Sequence, residues 1–139
     1  MNKENIKKLI SLIIEGSGDN HARDGLKGTP ERVANLYEEL FSGYKKNINT
    51  VVNNSLFNTT LDDMIVVKNI EFSSICEHEM TPFFGMVNLG YIPNKKIIGL
   101  SKIPKIIEIF SKRLQVQENL TNQISTALDS IILSLIHIS

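Results

Sequence analysis

Two stretches decide the fold: Met64-Ile-Val-Val-Lys-Asn-Ile-Glu-Phe-Ser-Ser-Ile-Cys76 and Thr81-Pro-Phe-Phe-Gly-Met-Val-Asn-Leu-Gly-Tyr-Ile92. Both are rich in β-branched and aromatic residues with partial alternation, the pattern of strands that lay one face on a core. Only Glu77-His-Glu-Met80 separates them, so they read as neighbours in a hairpin. The turn then carries Cys76, Glu77, His78 and Glu79, which include the only cysteine and one of three histidines in the chain.

Working outward, Pro93-Asn-Lys95 is a second turn and Lys96–Leu100 a short third strand. Ser101 can cap a helix bearing Ile103, Ile106, Ile107, Phe110 and Leu114. A last helix starts near Glu118 and buries Leu120, Ile124, Leu128, Ile131 and Ile132. Toward the N-terminus, Ile6, Leu9, Ile10, Ile13 and Ile14 recur at helical spacing until Gly16. Thr29-Pro30 offers a hydroxyl cap followed by proline for a second helix, with Val33, Leu36, Tyr37, Leu40 and Phe41 as its buried stripe and Gly43 as its end. The Asn- and Thr-rich segment from Asn47 to Asp63 reads as a loop or irregular arm. Helices, an antiparallel meander, then helices make an α+β arrangement. A three-stranded sheet leaves edges that further sequence or another chain must cover.

Fifteen basic and fifteen acidic residues cancel across the 139, so no global field favours nucleic acid or an anionic membrane. An anionic ligand needs a local cluster. One cysteine rules out an internal disulfide and fits a reducing compartment. No apolar run is long enough to span a bilayer and the N-terminus lacks a secretory core, so the expectation is a cytoplasmic protein with no membrane partner.

Three clusters carry chemistry. A thiolate and a residue three positions on can bind one metal ion from one turn, and Cys76 and Glu79 have that spacing. His78 between them suits a general acid or base. The alternative is a structural cysteine beside a solvated turn. In Gly99-Leu-Ser-Lys-Ile-Pro-Lys105, Ser101, Lys102 and Lys105 bring a hydroxyl, free N–H groups and two cations to one helix start, where phosphate is attracted. Taken alone, the segment reads more simply as a capped helix with solvated lysines. In Arg113-Leu-Gln-Val-Gln-Glu118, the carboxylate can accept two N–H bonds from a guanine edge, or cap the last helix.

These clusters, in this order, together with Gly90-Tyr-Ile-Pro93, Leu114-Gln-Val-Gln-Glu-Asn-Leu-Thr121 and Arg23-Asp-Gly-Leu-Lys-Gly-Thr-Pro-Glu-Arg-Val33, closely resemble GTP cyclohydrolase I from about Ile6 to Ile132. The resemblance implies the tunnelling fold (T-fold), whose sheets assemble side by side into ring-shaped homo-oligomers, commonly decamers, with active sites between subunits. It implies opening of the GTP imidazole ring by water, release of formate and formation of dihydroneopterin triphosphate, the entry to tetrahydrofolate and other pterins. Carried over by position, Cys76 and Glu79 fall at zinc ligands, with one zinc per subunit, and His78 at the acid–base residue. Gln117 and Glu118 fall on the guanine edge. Leu100, Ser101, Lys102 and Lys105 fall on the triphosphate, helped by Arg32.

Two departures accompany the resemblance. Glu79 stands where the family pattern has a second histidine, and the family's third ligand, a cysteine in a His-x-Cys motif on a later strand, is not found. Residues 1–132 read as a partial domain lacking its C-terminal strands, with 1–45 its helical region and 64–132 its partial T-fold core. Residues 133–139, Leu133-Ser-Leu-Ile-His-Ile-Ser139, resemble an adapter-derived artefact and could prolong the last helix. This view makes the chain an inactive fragment of an enzyme; reading the locus past the Ile132 codon tests it. The alternative is a non-catalytic tunnelling-fold subunit or regulatory pseudoenzyme. A nitrile reductase of the same fold lacks its Glu-x-Lys-rich motif here.

Overall fold

The computed structural model describes residues 1–132 and 135–138. Its two compact units are Met1–Phe41 and the residues from Ser42 on. The second is built on the expected hairpin. Strand β2 (Ile65–Cys76) pairs antiparallel with β3 (Pro82–Ile92), in register from Ile75↔Pro82 to Ile65↔Tyr91. A bulge interrupts the ladder between Val67 and Ile70. There Asn69 takes a left-handed φ of 59°, tolerable for asparagine, and its N–H donates to Asn88 Oδ1 at 3.0 Å.

Helices α4 (Lys102–Ser111) and α5 (Gln117–Ile132) share one core with the hairpin. Ile70, Val87, Leu89 and Tyr91 meet Ile103, Ile106, Ile107, Phe110, Leu120, Ile124 and Leu128 there, all buried. Each such side chain contributes about 1.5–3 kcal/mol on burial. An exposed ion pair such as Lys46–Glu108 at 3.0 Å contributes about 0–1 kcal/mol. Burial therefore fixes α4, and its ion pairs trim the surface. Leu114, expected on the same helix, lies beyond it: α4 ends at Ser111 and Leu114 opens β5 (Leu114–Gln115).

The meander is not continuous. The third strand, β4 (Lys96–Ile98), turns away from β3 and pairs antiparallel with β1 (Leu56–Asn58) in a separate two-stranded sheet. The segment expected to be loop therefore holds a strand. It also holds a short helix, α3 (Ile48–Val52), capped by the Asn47 side chain. Val52 is buried in the main core; its apolar contacts outweigh the poor local propensity of its Asn and Thr neighbours.

The main sheet runs β5-β2-β3-β6, with β5 parallel to β2 and β6 (Leu135–Ile138) antiparallel to β3. The edges expected to be bare are thus covered at Ile75–Cys76 and Leu89–Ile92. For the tail, Leu133, Ser134 and Ser139 lie outside the described residues, and 135–138 form a strand instead of prolonging α5. On the sheet face away from the helices, Phe84 is 80% exposed and Met86 60%. Among the described residues no helix is long and apolar enough to cross a membrane.

The first unit is a helical hairpin of α1 (Lys3–Gly16) and α2 (Thr29–Leu40). Lys3 pairs with Glu38 at 2.7 Å, and Lys7 with Glu31. Ala34 is its fully buried residue. Leu9, Ile13 and Leu36, expected inside, stay half exposed or more, because two helices alone cover only one line of each other. Thr29 is the first helical residue and Gly28 the cap. The Thr29 hydroxyl instead accepts from Arg32 Nη2 at 2.8 Å. Arg23 grips Asp19 with two bonds of 2.9 and 2.8 Å.

Two expectations follow. A Cβ on Gly43 would lie 2.0 Å from the Ile109 carbonyl oxygen and 2.7 Å from that of Lys112, whereas one on Gly16 meets nothing. Gly43→Ala should therefore lose about 1–3 kcal/mol or more in chemical denaturation, with Gly16→Ala neutral or stabilising. The Arg23 guanidinium holds the Asp19 carboxyl down to about 2 from 3.8. A depressed folded-state value means the pair's stabilisation is present at neutral pH and fades as pH falls through that value. Carboxyl NMR should show Asp19 titrating near 2, and Arg23→Ala should return it toward about 4.

Candidate active site

β2 ends at Cys76, whose carbonyl accepts the Met80 N–H at 2.9 Å while its own N–H donates to the Thr81 carbonyl at 2.8 Å. Met80 closes this one helix-like turn with a left-handed φ of 56°. The His78 side chain is 72% exposed, with Nε2 4.0 Å from Glu77 Oε1. Cys76 is half-buried and Glu79 exposed. Among the described residues no three His, Cys, Asp or Glu side chains gather as a metal site.

Beside this turn lies the start of α5. Strand β5 joins the two: Cys76 is registered against Gln115, and the Glu77 N–H donates to the Gln115 carbonyl at 3.0 Å. Adjacent strands run about 4.8 Å apart, and α5 begins two residues later at Gln117. An open hollow of about 430 Å³ is lined by Gln117, Glu118, Thr121 and Asn122. A narrower one of about 160 Å³, with Phe72, Phe83 and Leu120 in its wall, shares Gln117 and Thr121. The spacing Gln115-Val-Gln117 sends the first glutamine inward. Its Nε2 donates to the Phe110 carbonyl at 2.8 Å and to Gln123 Oε1 at 2.9 Å. The second stays outside, next to Glu118.

The third cluster stands apart. α4 is ten residues long, about 15 Å from end to end at 1.5 Å per residue. Ser101 and Lys102 open the helix and Lys105 is its fourth residue, whereas Gln115, two residues before Gln117, is bonded to the Phe110 carbonyl at the other end. Within the α4 start, the Lys102 N–H is taken by the Gly99 carbonyl at 2.8 Å and the Ile103 N–H by that of Leu100 at 3.3 Å. Pro104 has none. The amides left for an anion are those of Leu100 and Ser101, which have no acceptor among the described residues. Leu100 is well exposed, and the Ser101 hydroxyl makes no capping bond. The helix start thus offers donors one residue earlier than capping rules suggest. Arg32 belongs to the first unit, where Nη2 donates to the Gly25 carbonyl and the Thr29 hydroxyl.

Comparison with known proteins shows the family. Residues 6–135 match the sequence model described as GTP cyclohydrolase I. The chain is 50% identical over 119 residues to GTP cyclohydrolase 1 of Campylobacter jejuni, covering 86% of this chain and 63% of that protein. It is 47% identical over 127 residues to GTP cyclohydrolase 1 of Helicobacter pylori, covering 91% and 71%. For the namesake of Leptospira biflexa the figures are 48% over 123 residues, 88% and 67%. The α+β architecture and these matches make it a tunnelling-fold protein. It belongs to the GTP cyclohydrolase I family, and it spans just under two thirds of the length of the Campylobacter relative.

Proposed function

We propose that this chain carries the guanine-binding and proton-transferring machinery of a GTP cyclohydrolase, which opens the imidazole ring of GTP with water and gives formate and 7,8-dihydroneopterin triphosphate. The observation that carries the reading is the junction at β5, which seats the Cys76–Glu79 turn against the Gln117–Glu118 helix start. Glu118 accepts two N–H bonds from the guanine edge, with Gln117 beside it. His78, exposed on the turn, moves protons at the purine. The Leu100 and Ser101 amides, with the Lys102 and Lys105 ammonium groups, receive the triphosphate. Lysine at position 105 binds phosphate as a point charge and not as a bidentate fork.

The α4 start and the guanine site lie toward different ends of that helix, and groups from more than one copy can serve a single GTP. That favours a homo-oligomer, a decamer by family analogy, in which Arg32 reaches a neighbour's site. Such an enzyme works in the cytoplasm at the entry to tetrahydrofolate.

Zinc is the metal the family implies, and it would activate the attacking water. Cys76 and Glu79 supply two donors, whereas a catalytic zinc takes three protein ligands. The described residues therefore do not complete the centre. The same shortfall favours a second reading, a non-catalytic tunnelling-fold subunit. Formate release from GTP in the presence of added zinc separates the two.

Two measurements test the reading. In calorimetric titrations GTP should bind more tightly than ATP or guanosine, and Glu118→Ala should erode the preference over ATP by about 1–3 kcal/mol as its two N–H bonds from the base are lost. Equal affinities for GTP and ATP would sink it. Purified protein should hold far less than one zinc per chain; a stoichiometric content would show that a third ligand is present after all.

A further inference from the structure

Arg113 takes no part in the site as described, yet it sits in the turn that builds it. Its guanidinium lies over two rings, 4.9 Å from the Phe110 centroid and 5.6 Å from that of Tyr44. Nε donates to the Ile109 carbonyl and Nη2 to the Gly43 carbonyl, both at 3.0 Å. Both bonds are charge-assisted, and a guanidinium can stack and donate sideways at once, which an ammonium cannot. Around it the backbone is tied on three sides. Gly43 N–H donates to the Lys112 carbonyl at 3.1 Å, Leu114 N–H to the Tyr44 hydroxyl at 3.1 Å, and Ser74 Oγ to the Arg113 carbonyl at 3.2 Å. Ser74 is buried and lies two residues before Cys76 on β2.

Every one of these bonds converges on residues 112–114, which lead straight into β5. That strand is two residues long, too short to hold its own register. Its position must come from its flanks. The C-terminal flank is α5, and the N-terminal flank is the Arg113 knot.

Resting on the guanine-site reading above, we propose that Arg113 is a positioning residue for base recognition. Acting through Tyr44 and β5, it sets the Gln117–Glu118 pair against the Cys76–His78 turn. The triphosphate end of the site, at the far end of α4, is independent of it.

The test uses the full chain and its Arg113→Lys and Tyr44→Phe variants, with GTP and ATP titrations and residue-resolved hydrogen exchange. Tyr44→Phe keeps the ring beneath the guanidinium and removes the hydroxyl that accepts the Leu114 N–H. In Arg113→Lys the preference for GTP over ATP should fall by about tenfold or more, a shift of one decade in the ratio of Kd values. ATP affinity should stay within about twofold, since phosphate contacts are untouched. Tyr44→Phe should show a smaller loss of the same kind. Exchange should quicken at Glu77 and Leu114 while Val87 and Leu89 in the hairpin core stay protected. A merely structural role would speed exchange throughout and weaken both nucleotides alike, and that outcome overturns the proposal. An unchanged GTP-to-ATP ratio in a folded Arg113→Lys protein does the same. If Arg113→Lys fails to fold, the Tyr44→Phe ratio decides. Absence of any GTP preference in the unaltered chain removes the guanine reading itself, and this proposal with it.

Discussion

One hydrogen bond, from the Glu77 N–H to the Gln115 carbonyl at 3.0 Å, links the two halves of the candidate site. On one side of it is the turn that ends β2 with Cys76, His78 and Glu79. On the other is the short strand that becomes α5 and presents Gln117 and Glu118. Neither side can hold this relation alone, because a four-residue turn and a two-residue strand have little structure of their own. The hydrophobic core supplies the frame: β2, β3, α4 and α5 are fixed by buried isoleucines and leucines, and the turn and β5 are suspended between them. Rigid elements with chemistry carried on their connecting ends are a general solution for sites that need both precision and exposure.

The charge distribution follows the same division. The chain is neutral overall, so anion binding depends on a few aligned groups. At the α4 start the first helical amides are already satisfied by a tight i→i+3 turn. The donors that remain, on Leu100 and Ser101, precede the helix and stand beside Lys102 and Lys105. At the opposite end of the same helix, Glu108 is held below its ordinary range by Lys46 and by Lys112.

Much of this was legible in the residues. The β2–β3 hairpin follows from β-branched runs around a short polar link, and α5 from apolar residues three and four apart, because both depend on neighbours in sequence. The partner of β4 was not legible: Leu56–Asn58 lies some forty residues earlier in a polar segment and becomes a strand only by pairing. Thr29 obeys the capping rule on paper and loses to Arg32, which claims its hydroxyl. Ser101 caps nothing because the Gly99 carbonyl closes the turn first. The Arg113 knot was the least visible feature. Tyr44 and Gly43 lie about seventy positions away, and no local pattern joins them to Arg113 and Leu114. What distance in sequence hid, packing supplied.

The most direct test of the account is where the purine sits. Nuclear Overhauser contacts from the H8 proton of bound GTP would report the side chains around the carbon that the proposed reaction releases as formate. The account expects contacts to the His78 imidazole and to protons of the Cys76–Glu79 turn, with guanine N–H resonances shifted by Glu118. Contacts to the exposed Phe84 and Met86 face instead, with none to His78, would contradict it.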